Sequence, residues 1–489
     1  MNMNESTNLT IMTDLYELTM MQGYYRYGKT NQKVVFDLFY RTNPFGGAYA
    51  IAAGLEQAID YIRDLHFSES DIEYLRSLAI FDDDFLNYLK DFRFTGDIDA
   101  IPEGTVVFPM EPLLRISASI MEAQLVEPAL LTIINHQTLI ATKAARVVHA
   151  AKGDAVMEFG LRRAQGPEAG TLGARAAVIG GCVGTSNVLT GKLYGALPKG
   201  THAHSWVMSF DSQLEAFRAY AKLFPDMCIL LVDTYDTLRS GVPDAIKVFQ
   251  EMRDAGIKSK TYGIRLDSGD LAYLSIEARK MLDEAGFPDA IISASSDLDE
   301  FVIRDLKHQG AQISLWGVGT RLITADGNPS LGGVYKMAAE ENAAGEMIPK
   351  IKLSNNLEKI TNPGIKQVLR IYDKETGYLR GDLITLDDEM FDEKNELTIF
   401  HPVNTWKHMT FAGGSYRLRK LLVPVFRGGE CVYTSPSLME IRDICAKEQE
   451  TLYPETRRTM NPQDVPVDLS VKLWTLKNEM LHQYGKEQR

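Results

Sequence analysis

Between about residues 155 and 335, short apolar runs alternate with stretches in which apolar residues have helical spacing. The runs are VMEFGL, ILLVDT, TYGIRLDS, AIISASSD and QISLWGVGT, and each ends in polar or glycine-rich residues. One helix is clearly predicted after Asp270, where apolar residues keep a helical period until Gly286 can end it. Alternating strands and helices are typical of a mainly parallel sheet, either open or closed into a barrel. The predicted fold class is therefore α/β.

Polar residues and glycines stand where these predicted strands end. They are Asp233, Arg265, Asp267, Ser295, Asp297, Gly317 and Gly319. In parallel α/β sheets, ligands bind at the carboxyl ends of the strands. We therefore expect these residues to share one cleft.

The sequence on either side of this region mixes helical and extended patterns. Ser70 and Glu73 fit a capping box that opens the helix IEYLRSL, and TVVFPMEPLLRISASI predicts two extended runs bent at Pro109 and Pro112. Near the other end, LSVKLWTLKNEMLHQY predicts a closing helix. The 489 residues exceed the size at which one hydrophobic core stops growing, so two or more packed units are expected.

The composition excludes several classes of protein. It is 45% apolar and 24% charged, as in ordinary globular proteins, and no apolar run approaches the roughly 20 residues that span a bilayer. The stretch MNMNESTNLTIMTDLYE has neither a basic region nor an apolar signal core. A net charge of −13 argues against nucleic-acid binding, because phosphate backbones are met by clustered Lys and Arg. We expect a cytoplasmic protein with no membrane or nucleic-acid partner.

The segment GTHAHSW, residues 200–206, is the first candidate for chemistry. A neutral imidazole is a nucleophile at cytoplasmic pH. His202 and His204 could also be two metal ligands, or one of them could be a structural histidine with satisfied hydrogen bonds. Two histidines alone leave these alternatives open.

A second candidate is the stretch from Phe159 to Asn187. Phe159 can stack on an aromatic ring, and the adjacent Arg162 and Arg163 can bind phosphate or carboxylate through two parallel hydrogen bonds. Within it, GTSNVLTGK is superficially similar to a Walker A loop. The glycine spacing is wrong, however, and Leu193 stands where Ser or Thr is required, so that interpretation is rejected.

A third candidate is GIRLDSGDL, where a predicted strand gives way to a helix. Arg265 offers a rigid cationic fork, Asp267 an acceptor, and Ser268 with Gly269 a helix N-terminus suited to phosphate. A plain N-cap with a surface ion pair is equally consistent with the spacing. The segment LLVDTYDT is a weaker signal, because buried strands that end in Asp are common.

Taken together, these segments resemble the nicotinate phosphoribosyltransferase family, in particular its type II members. The resemblance extends over nearly the whole chain and keeps the family's order. It is carried by TDLYELTM, YRTNPFGGAYA, EFGLRRAQG, GTHAHSW, LLVDTYDT, IRLDSGDL, WGVGTRL and LGGVYK. It implies an irregular α/β barrel, residues 146–364, packed against an open α/β sandwich formed by residues 1–145 and 365–489. It also implies a homodimer.

The resemblance implies a reaction in which nicotinate and phosphoribosyl pyrophosphate give nicotinate mononucleotide and pyrophosphate, a step in NAD synthesis. ATP hydrolysis with Mg²⁺ is coupled to this reaction in the family, and the sequence does not identify the metal ligands. The phosphorylated histidine of the family's T-x-A-H segment corresponds to His204, while His202 falls on the variable position.

The resemblance also assigns site residues. Tyr16, from a second subunit, and Phe159 stack on the pyridine ring, with Arg162 and Arg265 nearby. Asp267 orients the ribose hydroxyls or the histidine. The stretches that contact ribose and phosphate contain Asp297, Gly317, Gly319, Gly332 and Gly333.

Ser186 bears on the choice of substrate. In the similar nicotinamide-specific enzyme an aspartate lies in the segment that matches GTSN, and Ser186 takes that place here. An aspartate would repel the carboxylate of nicotinate, whereas a serine hydroxyl can donate to it. The sequence therefore favours nicotinate. Two rival interpretations are a sugar-phosphate lyase or aldolase, which needs a catalytic lysine or a full metal-ligand set, and a metabolite-binding protein without turnover.

Overall fold

The computed structural model describes residues 8–354 and 359–487, so the first seven residues of MNMNESTNLTIMTDLYE lie outside it. The chain divides into two compact units. The first comprises Met1–Leu139, Ser330–Pro436 and Asp443–Arg489, and the second comprises Ile140–Pro329 and Ser437–Arg442. Within the described residues, no helix combines the length and the apolar character needed to cross a membrane.

The helices follow one another along the chain, with short 3₁₀ or π turns at Pro44–Gly46, Leu161–Arg163 and Thr237–Gly241. Their bounds are α1 Leu15–Arg26, α2 Leu55–Arg63, α3 Glu69–Ser77, α4 Asp83–Lys90, α5 Ile120–Leu125, α6 Glu127–Ala150, α7 Pro167–Ile179, α8 Val188–Tyr194, α9 His204–Met208, α10 Gln213–Leu223, α11 Val242–Asp254, α12 Leu271–Glu284, α13 Glu300–His308, α14 Thr320–Ile323, α15 Leu438–Glu450 and α16 Val471–Glu487.

The strands are short, as is usual in globular proteins. Their bounds are β1 Lys33–Tyr40, β2 Ala50–Ile51, β3 Asp97–Ala100, β4 Val106–Val107, β5 Leu114–Ser119, β6 Ala155–Glu158, β7 Gly184–Thr185, β8 Met227–Leu231, β9 Thr261–Leu266, β10 Ile291–Ala294, β11 Leu315–Val318, β12 Gly333–Glu341, β13 Met347–Pro349, β14 Lys366–Asp373, β15 Leu379–Leu386, β16 Leu397–Phe400, β17 His408–Phe411, β18 Tyr416–Lys420, β19 Val423–Arg427, β20 Glu430–Cys431 and β21 Val467–Leu469.

The first unit contains a seven-stranded antiparallel sheet in the order β13-β12-β1-β5-β3-β19-β20 and a four-stranded sheet in the order β18-β14-β15-β21. β12 pairs with β1 from Val34 opposite Glu340 to Tyr40 opposite Gly333. This pairing places residues after 330 in the first unit, whereas the border inferred from the resemblance follows residue 364.

The second unit contains a six-stranded parallel sheet in the order β7-β6-β11-β10-β9-β8, which curls into a half-barrel. Its central strands bury Ile264, Ile292 and Trp316, as expected for parallel strands covered on both faces. β7 and β8 form the two edges, so the sheet remains open within the described residues. The predicted α/β class with a parallel sheet is confirmed.

Local sequence signals explain several helix ends. The predicted helix after Asp270 is α12, and the Asp270 carboxylate caps it by accepting from the Tyr273 amide at 2.9 Å. The predicted closing helix is α16. The capping box assigned to Ser70 and Glu73 was wrong: α3 begins two residues earlier, and the box is formed by Ser68 and Asp71.

Candidate active site

A polar cavity of about 430 Å³ lies at the carboxyl end of the parallel sheet in the second unit. Most of its lining residues lie at or just after the end of a strand, as the strand-end pattern predicts, and residues 200–203 come from the loop before α9. The predicted residues that line the cavity are Phe159, Arg162, Ser186, Arg265, Asp267, Ser295, Asp297, Gly317 and Gly319. The side chains of separate strands therefore converge on one space in which a small molecule fits.

Arg265 lines the cavity and makes hydrogen bonds to three other lining residues. Its Nε donates to Ser295 Oγ at 2.9 Å, its Nη1 to Thr201 Oγ1 at 3.0 Å, and its Nη2 to Asp267 Oδ1 at 2.9 Å. Ser295 also donates to the same oxygen of Asp267. Because the guanidinium is planar and all three nitrogens are engaged, its orientation is fixed before any ligand binds.

Phe159 presents an aromatic ring to the same cavity. Its ring centroid lies 5.8 Å from Cζ of Arg265, within the range of a cation–π contact. A Cβ atom at Gly317 would lie only 2.5 Å from Cδ2 of this ring. Gly317 therefore leaves the space that the Phe159 ring occupies.

Two arginines stand at the cavity mouth without a protein counter-ion. Arg162 and Arg163 lie in the short turn after Phe159, and both side chains are exposed. Among the described residues, no ion pair engages either guanidinium. Both are thus available to an anionic group of a ligand.

The backbone that follows β10 in the cavity lining adopts an uncommon conformation. Ser296 and Asp297, which follow β10, have φ values of 93° and 39°. Residues other than glycine rarely adopt positive φ, and such strain clusters at functional sites. The strained turn sets Asp297 at the cavity wall with an exposed carboxylate.

His204 is paired with Asp233. The Nε2 atom of His204 lies 3.1 Å from Oδ1 of Asp233, whose side chain is only 2% exposed. The other oxygen of Asp233 accepts from the Asp267 amide and from Ser268 Oγ, each at 2.7 Å. The carboxylate thus links His204 to the segment that carries Asp267. The His204 side chain is 40% exposed, and its Nδ1 atom accepts no hydrogen bond from the described residues.

His202 lines the cavity and is held by main-chain groups. It is buried, its Nε2 accepts from the Leu231 amide at 3.2 Å, and its Nδ1 lies 3.4 Å from the Ala203 carbonyl oxygen. Burial, together with the positive charge of the nearby Arg265, lowers the pKa of His202 to about 4. The imidazole is therefore neutral near pH 7.

Three residues assigned by the resemblance belong to the first unit. Tyr16 lies on α1, and the residue is 49% exposed. Gly332 has a φ of 72°, and the Gly333 amide donates to Oδ1 of Asn135 at 3.1 Å. Their roles toward a ligand stay predictions.

Three parts of the chain match the three domains described for nicotinate phosphoribosyltransferase (NAPRTase). Residues 11–135 match the N-terminal domain, residues 155–327 the family itself, and residues 365–477 the C-terminal domain. A Bacillus subtilis (strain 168) protein named nicotinate phosphoribosyltransferase is 46% identical over 478 residues, covering 97% of this chain and 96% of that protein. The chain belongs to the nicotinate phosphoribosyltransferase family.

Other relatives extend this likeness to humans and to solved structures. A Homo sapiens protein with the same name is 32% identical over 527 residues, covering 96% of each chain. The crystal structure of human nicotinic acid phosphoribosyltransferase matches with a TM-score of 0.83 and 30% identity, over 96% of this chain and 100% of that one. A Pyrococcus furiosus nicotinate-nucleotide pyrophosphorylase matches with a TM-score of 0.69 and 22% identity, over 92% and 97%, which shows a shared fold alone.

The sequence did not single out every residue that organises this site. The strand-end pattern includes Asp233 but indicates no role for it, although this residue joins His204 to the Asp267 segment. Thr201 stands out in the sequence only as part of the GTHAHSW segment, yet its hydroxyl accepts from Arg265. The signal for Asp233 was the LLVDT run, which indicates a buried strand that ends in a carboxylate.

A magnesium site formed entirely by protein ligands is not seen in the described part of the chain. No group of three or more His, Cys, Asp or Glu side chains there is placed to hold a metal. Asp233 is almost fully buried, and one oxygen of Asp267 is engaged by Arg265 and Ser295. Mg²⁺ commonly takes only one or two carboxylates and completes its shell with water and substrate phosphates. Asp297 and the free oxygen of Asp267 fit that arrangement.

Proposed function

We propose that this protein transfers the phosphoribosyl group of phosphoribosyl pyrophosphate to nicotinate. The observation that carries this proposal is the single cavity in which an aromatic ring, unpaired arginines, a serine hydroxyl and an exposed carboxylate converge. These are the groups that a pyridine ring, its carboxylate, a phosphate and a ribose each require. The family relation supports the same reaction.

Nicotinate is proposed to bind between the Phe159 ring and the Ser186 hydroxyl. Stacking on Phe159 holds the ring, while Ser186 and Arg162 bind the carboxylate. Arg265 beside the ring adds positive charge on the same side. This arrangement favours the acid over its amide, because the carboxylate gains charge-assisted hydrogen bonds that a neutral amide lacks.

The phosphoribosyl group is proposed to lie along Asp297, Gly319 and the start of α12. In the reaction the bond from the ribose carbon to pyrophosphate breaks, its electron pair leaves with pyrophosphate, and the pyridine nitrogen forms the new bond. Positive charge develops on the sugar, so catalysis consists of holding the weak nucleophile in line and stabilising the leaving phosphates. Asp267 and Asp297 orient the ribose hydroxyls, and Arg163, which Arg162 leaves for this role, receives the phosphates. Mg²⁺, when bound, neutralises phosphate charge.

We also propose that ATP phosphorylates His204. With Nε2 held by Asp233, the Nδ1 atom attacks the γ-phosphate, ADP leaves, and water later releases phosphate from the histidine. Coupling then arises because a phosphate on His204 changes the contacts of Asp233, which also holds the Asp267 amide and Ser268. No phosphate passes to the substrate in this scheme.

Tyr16 is proposed to complete the base site of a second subunit in a homodimer. Its exposed ring on α1 is free to reach a partner chain. Leu15 and Met20 on the same helix are also exposed, and they provide apolar area for such a contact.

The test is a product assay with purified protein, phosphoribosyl pyrophosphate, Mg²⁺ and either nicotinate or nicotinamide, with and without ATP. We expect nicotinate mononucleotide in preference to the amide product, and an ATP-dependent increase that is matched by ADP. A Schiff-base lyase is disfavoured because the described lining of the cavity contains no lysine. Absence of mononucleotide from either base would return the chain to the lyase or binding-protein interpretation.

A further inference from the structure

Glu158 is a fully buried carboxylate directly beneath the proposed base site. It is the last residue of β6, it is 0% exposed, and Phe159 follows it in the chain. One carboxylate oxygen accepts from Thr185 Oγ1 at 2.5 Å, and the other accepts from the Gly160 amide. Its main-chain carbonyl oxygen accepts from the Ser186 amide at 2.9 Å.

These bonds join the two segments that carry the proposed contacts to nicotinate. Gly160 and Glu158 bracket Phe159, so the carboxylate closes a tight turn around the ring-bearing residue. Thr185 ends β7 and precedes Ser186, and its hydroxyl oxygen also accepts from the Asn187 amide at 2.9 Å. A shift of the Glu158 carboxylate would therefore alter the spacing of Phe159 and Ser186.

The carboxylate is held by neutral donors. Burial raises the pKa of Glu158, whereas the hydrogen bonds from Thr185 and Gly160 oppose that rise. Both oxygens act as acceptors toward an O–H and an N–H, which an amide side chain cannot reproduce. The oxygen of a glutamine can accept from the Gly160 amide, but its NH₂ group then faces Thr185 Oγ1, so the Thr185 hydroxyl loses the acceptor for its proton.

We infer that Glu158 is a positioning residue that fixes Phe159 and Ser186 relative to each other and thereby sets the affinity for nicotinate. This inference rests on the proposed function, because it takes Phe159 and Ser186 as the contacts to the base. Glu158 itself is buried and acts through these two residues. It thus differs from a residue that stabilises the fold alone, since its loss should affect one substrate and spare the other.

The experiment compares steady-state KM values for nicotinate and for phosphoribosyl pyrophosphate in Glu158→Gln and wild-type protein. We expect the KM for nicotinate to rise about tenfold, as for loss of a buried charge-assisted hydrogen bond, while the KM for phosphoribosyl pyrophosphate stays within about twofold. Thr185→Val should behave in the same way, and Thr185→Ser, which keeps the hydroxyl, should restore wild-type values. These Thr185 variants decide the matter if Glu158→Gln fails to fold.

The matched control is Asp154→Asn at the amino end of the same strand. Asp154 accepts from Trp316 Nε1 at 3.0 Å and pairs with Lys307 at 2.5 Å, away from the strand end that carries Phe159. We expect it to lower the melting temperature without separating the two KM values. Unchanged KM for nicotinate in Glu158→Gln and Thr185→Val, or a parallel rise of both KM values, would overturn the inference. A wild-type protein that forms no mononucleotide would instead refute the proposed function.

Discussion

Replacing Gly317 with alanine tests whether this glycine serves the Phe159 ring. The added Cβ would lie 2.5 Å from Cδ2 and 2.7 Å from Cε2 of that ring, against an ordinary contact distance of about 3.5 Å. The ring must therefore move by about 1 Å, and since it borders the cavity, the open direction is into the proposed base site. A misplacement of about 1 Å at a reacting group can reduce turnover by about a hundredfold.

We expect Gly317→Ala to lower kcat/KM for nicotinate by between about tenfold and a hundredfold. The stability loss should be small, about 1 kcal/mol, the low end for overpacking, because Phe159 is only partly buried and can yield. Steady-state kinetics with each substrate and a thermal melt measure both quantities.

A double-mutant cycle with Phe159→Ala tests whether the Phe159 ring causes the loss of kcat/KM in Gly317→Ala. If Gly317 acts only by leaving space for the ring, Gly317→Ala should have little further effect on kcat/KM once Phe159 is replaced by alanine. An equal loss of kcat/KM in both backgrounds would refute this reasoning, and a rise in KM for phosphoribosyl pyrophosphate would point to a direct contact with that substrate instead.

Four further outcomes are expected. Ser186→Asp should lower kcat/KM for nicotinate relative to nicotinamide by about tenfold or more, through repulsion between carboxylates, and an unchanged ratio would exclude the assigned role. His204→Asn should abolish ATPase activity and ATP stimulation but keep slow basal transfer, so full stimulation by ATP would contradict the phosphohistidine. Mixing inactive Tyr16→Ala and Phe159→Ala proteins should restore about a quarter of the activity at most if sites are shared between subunits, whereas no recovery after confirmed subunit exchange would argue for sites within one chain. Because the pKa of His202 is depressed to about 4 from its ordinary 6.5, its contribution to stability is present above pH 6.5 and is lost as the pH falls through 4. The melting temperature of wild-type protein should therefore fall more steeply from pH 7 to pH 5 than that of His202→Gln, and parallel curves would show that His202 does not titrate in this way.

The location of the site could be predicted from the sequence because it follows from chain direction in a parallel sheet. Apolar runs that end in Asp267, Asp297 or Gly317 indicate where strands end. The carboxyl ends of parallel strands all lie at the same edge of the sheet. The helix after Asp270 could also be predicted from the sequence, because capping and apolar periodicity are local properties.

Contacts between segments that are distant in the sequence could not be predicted from it. The pairing of β12 with β1 joins residues about 300 positions apart, and no local pattern reports it. Asp233 and His204 meet through a bond across 29 positions, and each alone matches common structural patterns. The capping box was misplaced by two residues because SESD offers two serines with acidic residues at the required distance, and only packing selects Ser68.

The bond from the Leu231 amide to His202 makes opening of the loop that carries His204 detectable. β8 is an edge of the parallel sheet, and His202 satisfies one amide that no neighbouring strand reaches there. The loop that carries His204 is thus tied to the edge strand β8 through this amide. Loops secured by few contacts open more readily than the core strands beneath them. Hydrogen exchange at the Leu231 amide would therefore report each opening of the loop separately from unfolding of the sheet.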